Sequence, residues 1–258
     1  MIDLVWVGLA AFGASVVTFF SGFGLGTLLT PVMMVFFPVE IAIAATGLVH
    51  FANNIFKVIL TGSDASLRVL ITFGLPAILA AIAGSWLLLQ IPESEPIATY
   101  RLADHVLQIY PLKLMMGLLL ILFALLELIP YFARLEFSPR MLPVGGLLSG
   151  FFGGLAGVQG ALRSAFLIRA GLSKEAFIGT AVMASTLVDL TRLSIYARAI
   201  DFRGGVLKSP VIWIAVVAAM TGALAGQRLL RKVTIRTLQL AVAWMLIAMG
   251  SLFVLGIV

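Results

Sequence analysis

"SGFGLGTLLTP" (residues 21–31) interrupts what would otherwise be one long apolar run at the start of the chain. Three glycines, a serine, two threonines and a proline stand where a bilayer-crossing helix should be regular. Inside a helix, glycine costs about 1 kcal/mol and proline about 3 kcal/mol relative to alanine. The stretch therefore reads as a break: one segment ends near Gly22, and a second, shorter one starts near Leu25.

The rest of the chain says what kind of helix is broken. Of 258 residues, 62% are hydrophobic and 11% charged, against roughly 25% charged in soluble domains. There is too little polar surface to clothe a water-soluble fold of this length, so the chain reads as a polytopic membrane protein. Cysteine is absent, which excludes a disulfide framework, a thiolate metal site and a cysteine nucleophile. The first segment, from Leu4, has neither a positive n-region nor a small-residue cleavage site and reads as a retained span.

Apolar stretches of crossing length lie at 41–60, 69–90, 111–130, 175–197, 209–229 and 237–257. Two further regions, 3–37 and 141–171, are too long for one helix and are each cut by glycines into two pieces. The expected fold is an all-α polytopic bundle of about ten hydrophobic segments, with the short segments broken or re-entrant. The longest polar connection is "IPESEPIATYRLADHVLQIYP" (91–111). Its Ile97, Tyr100, Val106 and Leu107 recur at helical spacing, which predicts a helix lying flat at the membrane surface. With ten alternating segments, Arg68, Arg134, Arg140, Arg169, Lys174, Arg228, Arg231, Lys232 and Arg236 share one face. The positive-inside rule makes that face cytoplasmic and puts both termini outside a cell (inner) membrane.

The two broken regions match each other. Sliding the sequence by 135 positions sets "FPVEIAIAATGLVHFANNIFKV" (37–58) on "LSKEAFIGTAVMASTLVDLTRL" (172–193). Glu40 then falls on Glu175, Asn54 on Asp189, Lys57 on Arg192 and Gly22 on Gly157. Residues 1–131 and 132–258 thus read as two five-segment halves. An odd number of segments per half makes the second insert upside down relative to the first. Inverted repeats of this kind mark secondary transporters that bind substrate near the midplane at discontinuous helices.

"SGFGLGTLLTPVMM" (21–34) and "SGFFGGLAGVQGALRSAFLIRAGLSKEAFIGTA" (149–181) resemble the glycine-rich segments of the TauE/SafE-type sulfite exporter (TSUP) family, over nearly the whole chain. The resemblance implies two inverted halves and export or uptake of small sulfur-containing anions such as sulfite or organosulfonates. The second motif departs from the family pattern of a glycine triplet followed by an apolar residue and proline. Gln159 replaces a glycine, Arg163 enters the short helix and no proline follows.

Physical chemistry assigns the break a purpose. A helix that begins inside the bilayer exposes unpaired N–H groups and a partial positive charge, which is a ready anion site. Helices starting near Leu25 and Ala161 would aim two such ends at the midplane. The expected substrate-binding set is Gly22, Gly24, Gly26, Thr27, Asn53, Asn54, Gln159, Gly160, Arg163 and Ser164, with Thr30 a further donor. The competing reading of the glycines is close helix packing. An arginine near the centre of a span costs about 2.5–3.5 kcal/mol and is a functional candidate for that reason. Its guanidinium matches an oxyanion bidentately. The alternative is that Arg163 snorkels outward, as expected of Lys57 near its span end. His50, Asp189 and Arg192 are candidates for coupling or gating, with protons the candidate coupling ion. Asp189 and Arg192, three residues apart, are equally able to form a structural ion pair.

No GxxxxGK[ST] loop is present to bind ATP, no H-E-x-x-H motif to hold zinc and no G-x-S-x-G elbow, so neither an ATP-driven pump nor an enzyme is expected. No cofactor and no nucleic-acid partner are expected; the partners are the lipid bilayer and a small anion. A carboxylate transporter, an intramembrane enzyme and a partner-dependent structural subunit are the alternatives.

Overall fold

A computed structural model describes residues 2–21, 24–92, 95–129, 137–199, 207–229 and 235–258. Among these, ten helices follow one another: α1 (Ile2–Ser21), α2 (Leu25–Phe36), α3 (Val39–Thr61), α4 (Leu67–Gln90), α5 (Pro111–Leu128), α6 (Leu142–Ala156), α7 (Gly160–Leu167), α8 (Lys174–Ala199), α9 (Pro210–Leu229) and α10 (Ile235–Val254). The protein is an all-α polytopic membrane protein. Four helices (α3 extended to Asp64, α4, α5 and α8) are long and apolar enough to cross a bilayer, and further apolar helices are shorter. The outer face of α4 shows the lipid-facing side: Leu75, Leu79, Ile82 and Trp86 lie exposed along one stripe. α4 opens with a π-helical turn over Leu70–Gly74, where Pro76 removes one backbone donor from the ladder.

Both breaks fall where the glycines are. α2 starts at Leu25 and α7 at Gly160, while α3 starts at Val39 and α8 at Lys174. Both pairs of starts are separated by the offset found in the sequence. The packing follows the same exchange of the first five helices with the last five. α1 packs on α9 and α6 on α4; α3 packs on α9 and α8 on α4; α2 packs on α3 and α7 on α8. α3 packs on α8 and α5 on α10, each helix against its own counterpart.

Glycines set how closely these pairs approach. Gly146, Gly150 and Gly154 form one stripe on α6, where any added Cβ would collide with the backbone carbonyls of Phe73, Ala77 and Ala81 of α4. Gly222 of α9 meets the carbonyl of Phe12 of α1 in the same way. At the α5·α10 crossing the contact is reciprocal. A Cβ on Gly117 would sit 2.6 Å from the Gly250 carbonyl oxygen, and one on Gly250 2.7 Å from that of Gly117. Without a hydrophobic driving force between helices in lipid, van der Waals packing at such small-residue seams is what holds them together.

The polar connection after α4 differs from expectation. It is a β-hairpin, with β1 (Ala98–Leu102) antiparallel to β2 (His105–Ile109) and Tyr100 opposite Leu107. Tyr100 is the more buried residue of β1, and Leu107 and Ile109 are those of β2, so the pattern has a period of two and no helix lies there. The hairpin is fastened to the end of α10, where Tyr100 Oη donates to the Leu255 carbonyl at 2.6 Å.

Candidate functional site

The two short helices begin beside each other. Gly24 is the N-cap of α2 and Gln159 that of α7, and neither helix has a side-chain cap on its first turn. A Cβ placed on Gly24 would lie 3.8 Å from the backbone nitrogen of Gly160, 3.9 Å from His50 Nε2 and 3.7 Å from Thr27 Oγ1. Three polar atoms from α7, α3 and α2 thus converge on the face that Gly24 leaves open. Buried, uncapped helix starts are uncommon, and here two share one spot.

α3 carries the polar side chains along one face. Thr46, His50, Asn53 and Asn54 are all buried, at the spacing that stacks residues on one side of a helix. Asn53 is fully buried with both amide atoms unpartnered, and the hydroxyls of Thr30 and Thr46 are buried and unpartnered too. Arg163, half-buried on α7, has Nε and Nη1 buried without a hydrogen-bond partner. Its charge is close enough to act on His50, Lys57 and Asp189. Buried polar groups are ordinarily paired, so this cluster of open donors is unusual.

Asp189 of α8 is the opposite case. Its Oδ2 lies 2.6 Å from His50 Nδ1 and accepts from Asn54 Nδ2 at 2.9 Å, and Asn54 Nδ2 is also 3.3 Å from His50 Nδ1. Its Oδ1 accepts from Arg192 Nε at 3.0 Å and Nη2 at 2.7 Å. The Asp189–Arg192 ion pair is formed, and both residues are completely buried. Asn54 and Asp189, 135 positions apart in the sequence, are in direct contact.

Arg192 also holds the break in the second half. α6 ends at Ala156 and Gly157 turns left-handed at φ +74°, a conformation that favours glycine. The open face of Gly157 is occupied by Arg192 Nη1, so a guanidinium stands at the C-terminal end of α6, where the helix dipole is negative. The Gly154 carbonyl near that end accepts from Tyr196 Oη and, at 3.2 Å, from Ser85 Oγ.

The residues singled out in the sequence divide accordingly. Gly24, Thr27, His50 and Gly160 meet at one point, and Asn53 and Arg163 contribute open donors. Asn54, Asp189 and Arg192 form one network, in which Arg192 Nη1 alone of the guanidinium nitrogens is left without a hydrogen-bond partner. Gln159 is turned away from Gly24: its Nε2 donates to Ser185 Oγ at 3.2 Å, and its backbone carbonyl accepts from Ser149 Oγ at 3.5 Å. Gly26 is a packing contact, its open face 2.7 Å from the Gly157 carbonyl oxygen. Ser164 lies half-buried on α7, and Gly22 falls outside the described residues. Sequence reasoning missed Thr46, Ser149, Ser185 and Tyr196. Thr46 alone carried a signal, being one helical turn before His50.

The model of the sulfite exporter TauE/SafE family matches residues 7–253. No curated protein and no solved structure matches the chain.

Proposed function

Since the chain belongs to the TauE/SafE family of membrane transporters for sulfur-containing anions such as sulfite, we propose that it is a secondary transporter that holds such an anion between the starts of α2 and α7. The observation that carries this reading is the convergence of Gly160 N, His50 Nε2 and Thr27 Oγ1 on the open face of Gly24, together with the buried, unpartnered Nε and Nη1 of Arg163 one turn along α7. Two helix dipoles and one half-buried cation all favour negative charge there. Asn53 adds an amide donor. Asp189, Arg192 and His50 then serve coupling, with the proton as the coupling ion.

In this reading the chain consists of two inverted halves, 1–131 and 132–258, and their exchange around the fixed site gives alternating access. The matched helix starts and matched packing pairs support it. The charge distribution supports a cell-membrane location with both termini extracytoplasmic. Sulfite flux into proteoliposomes of the purified protein tests the proposal. Flux above that of protein-free liposomes, steeper under an imposed proton gradient, is the expected result. Arg163→Gln should weaken the apparent affinity about 10- to 100-fold, the value of a charge-assisted hydrogen bond of about 1.5–3 kcal/mol. Unchanged flux in that variant would remove Arg163 from the site.

A further inference from the structure

The hydrogen bonds around Asp189 fix which ring nitrogen of His50 carries a proton. Arg192 donates twice to Oδ1, and Asn54 donates to Oδ2. A carboxylate so surrounded is ionised and only accepts. His50 Nδ1, 2.6 Å from Oδ2, must then be the N–H donor. In the neutral ring Nε2 is consequently a bare acceptor, and Nε2 is the atom that faces the open side of Gly24. The Gly160 N–H beside it and the positive charge of Arg163 that acts on the ring are suited to an anion. A lone pair is not, unless a proton lies between it and the anion.

Resting on the transport reading above, we propose that His50 is the specificity-determining residue of this site, its Nε2 binding one proton jointly with the anion. The site then takes oxyanions of weak acids, which bring an O–H or accept a shared proton. It disfavours anions of strong acids such as sulfonates, which have no proton to share. The balance is simple. A hydrogen-bearing monoanion donates its O–H to Nε2 of neutral His50, or a deprotonated dianion accepts N–H from charged His50. Both are the same anion plus one proton, and Nδ1 keeps its hydrogen throughout.

The charged groups facing His50 are few. α8 supplies Asp189 and Arg192 and α7 supplies Arg163. α2 has no charged residue between 25 and 36, and α9 none between 210 and 226. Arg163 and Arg192 against Asp189 leave one net positive charge, enough to hold a monoanion formed by the anion with its proton.

The test compares sulfite with methanesulfonate, a similar tripod of oxygens without the proton, in proteoliposomes of the full-length protein. Wild type should favour sulfite by at least about tenfold, and His50→Gln, whose amide can donate an N–H but cannot take up a proton, should collapse that preference. Equal loss of both fluxes, or an unchanged preference, would overturn the proposal. A wild-type measurement keeps the question open to refutation if the variant fails to fold. Sulfite influx should acidify a weakly buffered lumen containing a pH dye, and influx without acidification refutes the shared proton while leaving transport intact. Absence of flux for both anions would instead overturn the transport reading, and the inference with it.

Discussion

Two glycines two positions apart carry opposite consequences. A methyl group on Gly24 would meet its neighbours at ordinary van der Waals distance, the nearest being Thr27 Oγ1 at 3.7 Å. Gly24→Ala should therefore fold and melt like wild type, yet lose sulfite flux about 10- to 100-fold, because the methyl stands between the groups that would hold the anion. On Gly26 the same methyl would press to 2.7 Å from the Gly157 carbonyl oxygen. Overpacking of that kind costs about 1–3 kcal/mol, so Gly26→Ala should lower the melting temperature in detergent. Paired flux and melting curves check both, and a loss of stability at Gly24 would make it a packing glycine too. Sequence alone could not separate these two positions. Both sit in one motif, and only the backbone on the far side of the break tells them apart.

At the level of helices, the network around Asp189 ties α3 to α8 and the end of α6. Removing one member of a buried ion pair leaves the other uncompensated, at about 3–5 kcal/mol. Arg192→Gln should therefore destabilise strongly, while Asp189→Asn combined with Arg192→Gln should recover part of the loss. A double-mutant cycle on detergent-solubilised protein measures the coupling, and additive effects would deny the pair its structural role. The short helices were legible in the sequence because glycine and proline mark a helix end at the residue itself. The hairpin between α4 and α5 was not. Its two-residue turn, Ala103–Asp104, lacks the glycine or asparagine that announces such turns, and Ala103 adopts φ 52° without being glycine. With strands of five residues each, a period of two and a helical period were hard to tell apart.

Over the whole molecule, the ten-segment reading and the helix starts were legible, since hydrophobic length reports spans directly in lipid. What stayed hidden was three-dimensional. The contact of His50 with Asp189 links residues 139 positions apart, and no local pattern carries it. Orientation is testable because the chain has no cysteine. Asp104→Cys, in the hairpin turn, should react with a membrane-impermeant maleimide on intact cells, whereas Lys174→Cys should react only after permeabilisation. The reverse pattern would invert the topology drawn from the charges.

The contact of Asn54 with Asp189 has a meaning for descent. A chain made of two identical halves, as a fresh gene duplication would give, places residue 54 against its own copy. Two carboxylates at 2.9 Å cannot both stay ionised, so one of the pair would be forced to hold a proton. A carboxylate at this junction that faces no second acid requires the two matched positions to differ, as Asn54 and Asp189 do. The Asn54–Asp189 pair is thus a difference between the two matched segments, and the glycine breaks are what those segments have in common.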